Sequence, residues 1–229
     1  MSKAHDFFTK EAAQGYDARN TKLAAISAHL HFLLSLLLQA LPLHARILCV
    51  GVGTGAEILA LAERYPGWRF TGVDPSAHML EVCQRNLMRA RIADRCELIT
   101  ATVQDLPGGE SYDAALSILV AHFVPRPARL DFFQNMVARL RPGGVLVNAE
   151  ISGDLDAPDF GEVLKDWSEV QKLMGATPES LAALPTMMRD KLAVLPPLET
   201  EALLRQSGLA MPIHFLQSFM IHGWHGRKA

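Results

Sequence analysis

Cysteine is scarce: Cys49, Cys83 and Cys96 are an odd, scattered set with no C-x-x-C spacing. That excludes a disulfide framework and gives no zinc motif, and it fits a reducing, cytoplasmic setting. Excess charge is absent as well. A formal net charge of −2 and a pI near 6.5 provide no global attraction to nucleic acid or an anionic membrane, so neither partner is expected. No repeat or low-complexity segment is seen, and Met1 to Lys10 carries no apolar core of a secretory signal. The most lipid-like run, Leu30 to Leu41, is about half the length a bilayer requires and is interrupted by His31, Ser35 and Gln39, so it reads as a helix packed on a sheet. Hydrophobic residues are 49% of the chain and charged ones 20%, ordinary for a globular protein. The 229 residues suit one domain, 1–229, with small additions.

The most informative stretch is R-I-L-C-V-G-V-G-T-G-A-E at 46–57. Ile47 to Val50 is a short unbroken apolar run, the pattern of a strand buried on both faces of a parallel sheet. Gly51, Gly53 and Gly55 follow, then the helical spacing of Ile58, Leu59, Leu61 and Ala62. Glycines let backbone turn tightly and approach a ligand closely, and the helix start offers unpaired N–H groups. The same letters also describe an ordinary strand-to-helix turn. Arg69 to Val73 is a second strand ending in Asp74, with Pro75 and Ser76 behind it. Asp74 lies about twenty residues past the glycines, where a βαβ unit places a carboxylate to accept both hydroxyls of a ribose. Its alternative role is a helix cap, which Ser76 can fill unaided.

The remaining chain alternates strands and helices. Residues 2–14, with Phe7 and Phe8, read as a short helix broken at Gly15 and Tyr16; Asn20 and Thr21 can cap a longer one running to about Leu41, which Pro42 ends. Helix 76–91 places Met79, Leu80, Cys83, Leu87 and Met88 on one side and Arg85, Arg89 and Arg91 largely on the solvated other. Strands follow at Cys96–Ile99, Ala114–Leu119 and Val145–Ala149, with a helix over Arg129–Leu140 between the last two. Helices at 160–174 and 178–193 form an insertion over the sheet's carboxyl edge, spanning 154–195. A helix at Glu199–Ser207 precedes two antiparallel strands within Met211–Gly226. The expected fold is α/β: a doubly wound, mostly parallel seven-stranded sheet with helices on both faces, an antiparallel C-terminal strand pair, and an N-terminal helical lid over 1–41.

With those residues located, the chain resembles the class I S-adenosylmethionine-dependent methyltransferases. The likeness rests on V-G-V-G-T-G at 50–55, G-V-D-P-S-A-H-M-L at 72–80, V-Q-D-L-P at 103–107, S-Y-D-A-A at 111–115 and L-R-P-G-G at 140–144. Each is weak alone; their order and separations are specific. The resemblance implies S-adenosylmethionine as cofactor and S-adenosylhomocysteine as product. It places Gly51, Gly53 and Gly55 under the methionine part and Asp74, with Pro75 beside it, at the ribose. Asp105 and the backbone at Val103 or Gln104 would hold the adenine amino group, and Leu119 and Val120 would offer carbonyls to the methionine ammonium. Tyr16 resembles a lid residue closing over the cofactor. Relatives often carry an acid where this chain has Cys49.

The insertion and the tail L-Q-S-F-M-I-H-G-W at 216–224 resemble a subgroup that includes carboxy-S-adenosylmethionine synthases of tRNA wobble-uridine modification. There an arginine in the insertion recognises the extra carboxylate. Aligned on Glu199-Thr200, this chain has Thr186 at that place and Arg189 one helical turn away, so ordinary S-adenosylmethionine is expected, with the carboxylated cofactor of a tRNA-modification enzyme as the alternative.

Methyl transfer needs in-line approach and exclusion of water, with no metal. His122 could serve as a base, or be a satisfied histidine at a helix start; Glu150 carries the same two readings. Met174, Met187 and Met188 are core or an adaptable apolar site. With Phe7, Phe8 and Trp167 they suggest a covered apolar cavity for a small-molecule acceptor, and a homodimer is compatible with all of this. His222 and His225 lack a third metal ligand. Two rivals stand beside methyl transfer: a nicotinamide oxidoreductase, because Gly51-x-Gly53-x-x-Ala56 also satisfies the dinucleotide fingerprint, and a non-catalytic binding protein.

Overall fold

The computed structural model describes residues 10–109 and 112–229; Phe7, Phe8 and the start of the expected N-terminal lid lie outside them. The described residues open with short helices α1 (Lys10–Gln14) and α2 (Tyr16–Asn20), a 3-10 turn at Thr21–Leu23, and α3 (Ala24–Leu38). The helix expected from Asn20 to about Leu41 is therefore shorter at both ends, beginning at Ala24 after the 3-10 turn and ending at Leu38. Asn20 does not cap it, because its side chain hydrogen-bonds Tyr16 instead. As one helical run, Tyr16–Leu38 is 23 residues and apolar enough to cross a membrane by length and composition. Its Leu30, Leu34 and Leu38 are packed in the core with Ile47 and Ile58, whereas Phe32 and Leu36 are exposed.

The rest is β1 (Arg46–Val50), α4 (Ala56–Arg64), β2 (Arg69–Asp74), α5 (Ala77–Arg89), β3 (Cys96–Thr100), β4 (Tyr112–Ile118), α6 (Arg129–Ala138), β5 (Leu140–Ile151), α7 (Phe160–Leu173), α8 (Pro178–Asp190), α9 (Pro197–Gln206), β6 (Leu209–Ser218) and β7 (Ile221–Lys228). One seven-stranded sheet runs β3-β2-β1-β4-β5-β7-β6. β7 alone is antiparallel to both its neighbours, β5 and β6. The unbroken apolar runs are explained by this order: β1 hydrogen-bonds β2 on one side and β4 on the other, with helices over both faces. It also makes β1 the place where the winding reverses, and a crevice opens beyond the carboxyl ends of β1, β2 and β4.

Boundaries differ from the pattern where local chemistry intervenes. Ser76 caps α5 by accepting from the Met79 N–H at 3.4 Å, which leaves Asp74 to other work. Met88, placed by periodicity on the packed side of α5, is 61% exposed because the helix ends one residue later and its last turn overhangs the core. β5 begins at Leu140, not Val145: Tyr112 pairs with Leu140 and, after an irregularity, Ala114 pairs with Val145, so Arg141-Pro142-Gly143-Gly144 is an excursion of the strand's edge.

Candidate active site

The crevice floor is the loop between β1 and α4. Gly51 and Gly53 have φ of +65° and +53°, a region costly to any residue with a Cβ. A Cβ on Gly51 would stand 2.4 Å from Val120 Cγ2, and one on Gly53 would stand 3.3 Å from Met79 Cε. Gly51 and Val52 both donate to the carbonyl of Val73, at 2.7 and 3.1 Å, which binds the loop to β2. Gly55 gives α4 no side-chain cap, which leaves the helix's first N–H groups to other acceptors. The bare main chain there fits the amino-acid end of a nucleotide-like ligand.

Asp74, 7% exposed, closes β2 beside this loop. Its Oδ2 accepts from the Gly53 N–H at 3.0 Å and its Oδ1 from the Ser76 N–H at 2.8 Å. The carboxylate thus fixes the loop's shape while lining the cavity above it.

That cavity, about 390 Å³, joins Gly51, Gly53, Asp74, Pro75 and Met79 on one wall to Phe123, Ile151, Trp167, Met174, Met187 and Met188 on the other. The second wall comes largely from α7 and α8. Tyr16 and Asn20 border it from the N-terminal helices, and burial raises the Tyr16 phenol above its usual value. Leu119 and Val120 lie between the walls. Leu119 is held at φ +58°, an unusual conformation for leucine, by a 2.6 Å hydrogen bond from its N–H to the Ala149 carbonyl.

A second cavity, about 380 Å³, shares Tyr16, Gly51, Gly53 and Leu119 and continues under α3, where it is lined by Asp17, His31 and Glu57. Glu57 Oε1 lies 3.7 Å from His31 Nε2. Its charge is felt at Cys49, whose thiol is pushed well above its ordinary pKa, first by burial and then by Glu57. A carboxylate thus stands near the glycine loop although the strand position itself holds a neutral thiol.

His122 is 2% exposed and lines the first cavity. The Ile151 N–H donates to His122 Nδ1 at 3.3 Å, so the ring proton resides on Nε2. Burial, followed by the charge of Arg129, lowers its pKa to about 3. The ring is a neutral donor, and its accepting nitrogen is already occupied. Glu150 does not line either cavity: wholly buried, it pairs with Arg129 and accepts from Thr200 Oγ1 at 3.0 Å and Asn148 Nδ2 at 3.3 Å. Its carboxylate is an internal tie between β5, α6 and α9.

Val103, Gln104 and Asp105 stand apart from both cavities. Val103 is core, Gln104 is exposed, and Asp105 accepts from Thr102 Oγ1 at 2.6 Å in a capping box, which holds its carboxyl below the ordinary range. Gly55 is likewise turned away, toward Cys83. His222 Nδ1 meets His214 Nε2 at 3.1 Å in a stack with Trp224, and no cluster of three metal-ligating side chains occurs among the described residues. Sequence patterns gave no cue to Glu57, His31 or Met79 as lining residues. Glu57 in a helix's first turn reads as a dipole partner, and Met79 as core.

Residues 47–144 match a family described as a methyltransferase domain. A fatty-acid O-methyltransferase of Mycolicibacterium smegmatis is 33% identical over 123 residues, 53% of this chain and 42% of that protein. An erythromycin 3''-O-methyltransferase of Saccharopolyspora erythraea is 33% identical over 107 residues, 46% of this chain and 34% of that protein. The chain therefore spans less than half the length of these relatives. In three dimensions an O-methyltransferase family protein from Burkholderia thailandensis superposes with a TM-score of 0.66 at 14% identity, over 97% of this chain and 64% of that one. Residues 47–144 thus resemble a methyltransferase domain, and the chain as a whole shares the Rossmann-like fold of solved methyltransferases.

Proposed function

We propose that this chain transfers a methyl group from S-adenosylmethionine to a small, largely apolar acceptor. The observation that carries it is a single cavity whose two walls differ in chemistry: Asp74 and the glycine loop on one side, Trp167 and the methionines on the other. The loop fits the cofactor because a Cβ at Gly51 would collide with Val120 where the methionine end has to pass. Asp74 and Pro75 would hold the ribose. Gly51 and Gly53 would lie under the methionine end, and Glu57 would supply the anion for its ammonium in place of Cys49. When bound, the cofactor supplies an electrophilic methyl group on a positively charged sulfur.

The chain's own contribution is positioning and exclusion of water. Tyr16 and Asn20 would close one end, and α7 and α8 cover the other with apolar side chains. His122, a neutral Nε2–H donor, would orient the acceptor's polar atom. The carboxylated cofactor finds less support, because Arg189 pairs with Asp156 at 2.7 Å on the surface and neither it nor Thr186 lines the cavity.

Calorimetric titration tests the reading. S-adenosylmethionine is expected to bind and NADH not to, and Asp74→Asn is expected to weaken S-adenosylmethionine at least about tenfold through loss of charge-assisted hydrogen bonds. Binding of NADH in its place would overturn the assignment. Binding without formation of S-adenosylhomocysteine from any acceptor would favour a non-catalytic role.

A further inference from the structure

Resting on the methyltransferase reading, we infer that the acceptor is a carboxylic acid with an apolar body, methylated on a carboxylate oxygen to give a methyl ester. Among the described residues, the ionisable side chains lining the first cavity are Tyr16, Asp74 and His122. An alcohol or protonated amine must lose a proton before or during attack, a step that a positioned side-chain base would assist. His122 cannot take that proton, because Nδ1 already accepts from the Ile151 N–H and Nε2 carries the ring proton. Its low pKa agrees with that geometry. Asp74 accepts from two backbone N–H groups and stands on the cofactor wall. The buried Tyr16 phenol, raised above its usual pKa, keeps its own proton. Glu150 is sequestered by Arg129 and Thr200, and Glu57 lies across the glycine loop against His31.

An acceptor that arrives already ionised removes the need for a base. A carboxylate oxygen donates a lone pair to form the bond to the methyl carbon as the carbon–sulfur bond breaks, its electron pair remaining on sulfur. No proton is released. The negative charge is matched by the sulfonium opposite and by one N–H donor, His122 Nε2, while Phe123, Trp167 and the methionines take the apolar body.

The test uses the full chain with decanoate and cinnamate against 1-decanol, cinnamyl alcohol and decylamine. Calorimetry in the presence of S-adenosylhomocysteine is expected to show the two acids binding at least about tenfold more tightly than the matched alcohols. Their binding enthalpies should not depend on the ionisation enthalpy of the buffer, since no proton moves. His122→Phe should weaken the acids about tenfold or more with S-adenosylmethionine affinity unchanged, and His122→Gln, which keeps an N–H, should restore most of it. Mass spectrometry of turnover should show methyl esters only. Equal binding of acids and alcohols, failure of both acids to bind, no effect of His122→Phe, or methylation of an alcohol or amine would overturn the inference. Failure to bind S-adenosylmethionine would instead sink the methyltransferase reading beneath it.

Discussion

Val120 lies so closely over Gly51 that a Cβ on the glycine would approach its Cγ2 to 2.4 Å. The contact joins the first loop of the sheet to the end of β4 and sets the depth of the crevice, with Leu119 beside it at φ +58°. Gly51→Ala adds a positive-φ penalty to this clash, and is expected to cost about 1–3 kcal/mol of stability and to abolish measurable cofactor binding. Gly161, inside α7 with open space around it and an ordinary φ, is the contrast: Gly161→Ala should stabilise the protein by about 0.5–1 kcal/mol. Urea denaturation and calorimetry of the two variants check the pair of outcomes.

Glu57 is expected to act on one end of the cofactor only. Glu57→Gln should weaken S-adenosylmethionine by roughly tenfold while leaving 5'-methylthioadenosine, which lacks the amino-acid end, unchanged. Equal losses for both ligands would place Glu57 elsewhere in the site.

His122 makes a measurable contribution to the pH dependence of stability. Its folded pKa of about 3 lies below the unfolded value of 6.5. Above pH 6.5 both states are neutral and the stability is fully present; as pH falls toward 3 the unfolded chain takes up a proton that the folded one refuses, and stability is lost. At pH 5 the loss attributable to this residue is about 2 kcal/mol. Urea unfolding at pH 7 and pH 5 should show that difference shrinking in His122→Gln.

Arg129 and Glu150, both fully buried, hold α6 to β5. Arg129 also donates to the Ala193 carbonyl at 2.7 Å, drawing in the end of the insertion. Arg129→Met leaves a buried carboxylate uncompensated and is expected to cost about 3–5 kcal/mol, with Glu150→Gln in the same chain recovering part of it. Chemical denaturation of the single and double variants reads the coupling.

Much of the architecture was legible because its central strands β1, β2 and β4 are buried on both faces. Runs such as Ile47–Val50 have no other economical explanation, and Gly51, Gly53 and Asp74 were recognisable because tight turns and strand tips restrict which residue types fit. Illegible parts depend on contacts between distant positions. Glu150 at the tip of β5 looks like a candidate base until Arg129, Asn148 and Thr200 are seen around it. His122 looks like a base until the Ile151 N–H is found on its Nδ1. Glu57 could not be placed in a cavity before the course of α3 was known. Met88 followed the helical period faithfully, but periodicity does not reveal where the core ends.

The central claim is that the sulfonium nucleotide lies across the tips of β1 and β2 with the apolar wall of α7 and α8 facing its reactive carbon. A crystal structure with S-adenosylhomocysteine tests it most directly. The account predicts the ribose hydroxyls on Asp74, the homocysteine end over Gly51 and Gly53 toward Glu57, and the sulfur facing the chamber of His122 and Trp167. S-adenosylhomocysteine bound away from Asp74, or with its sulfur turned from that chamber, would contradict it.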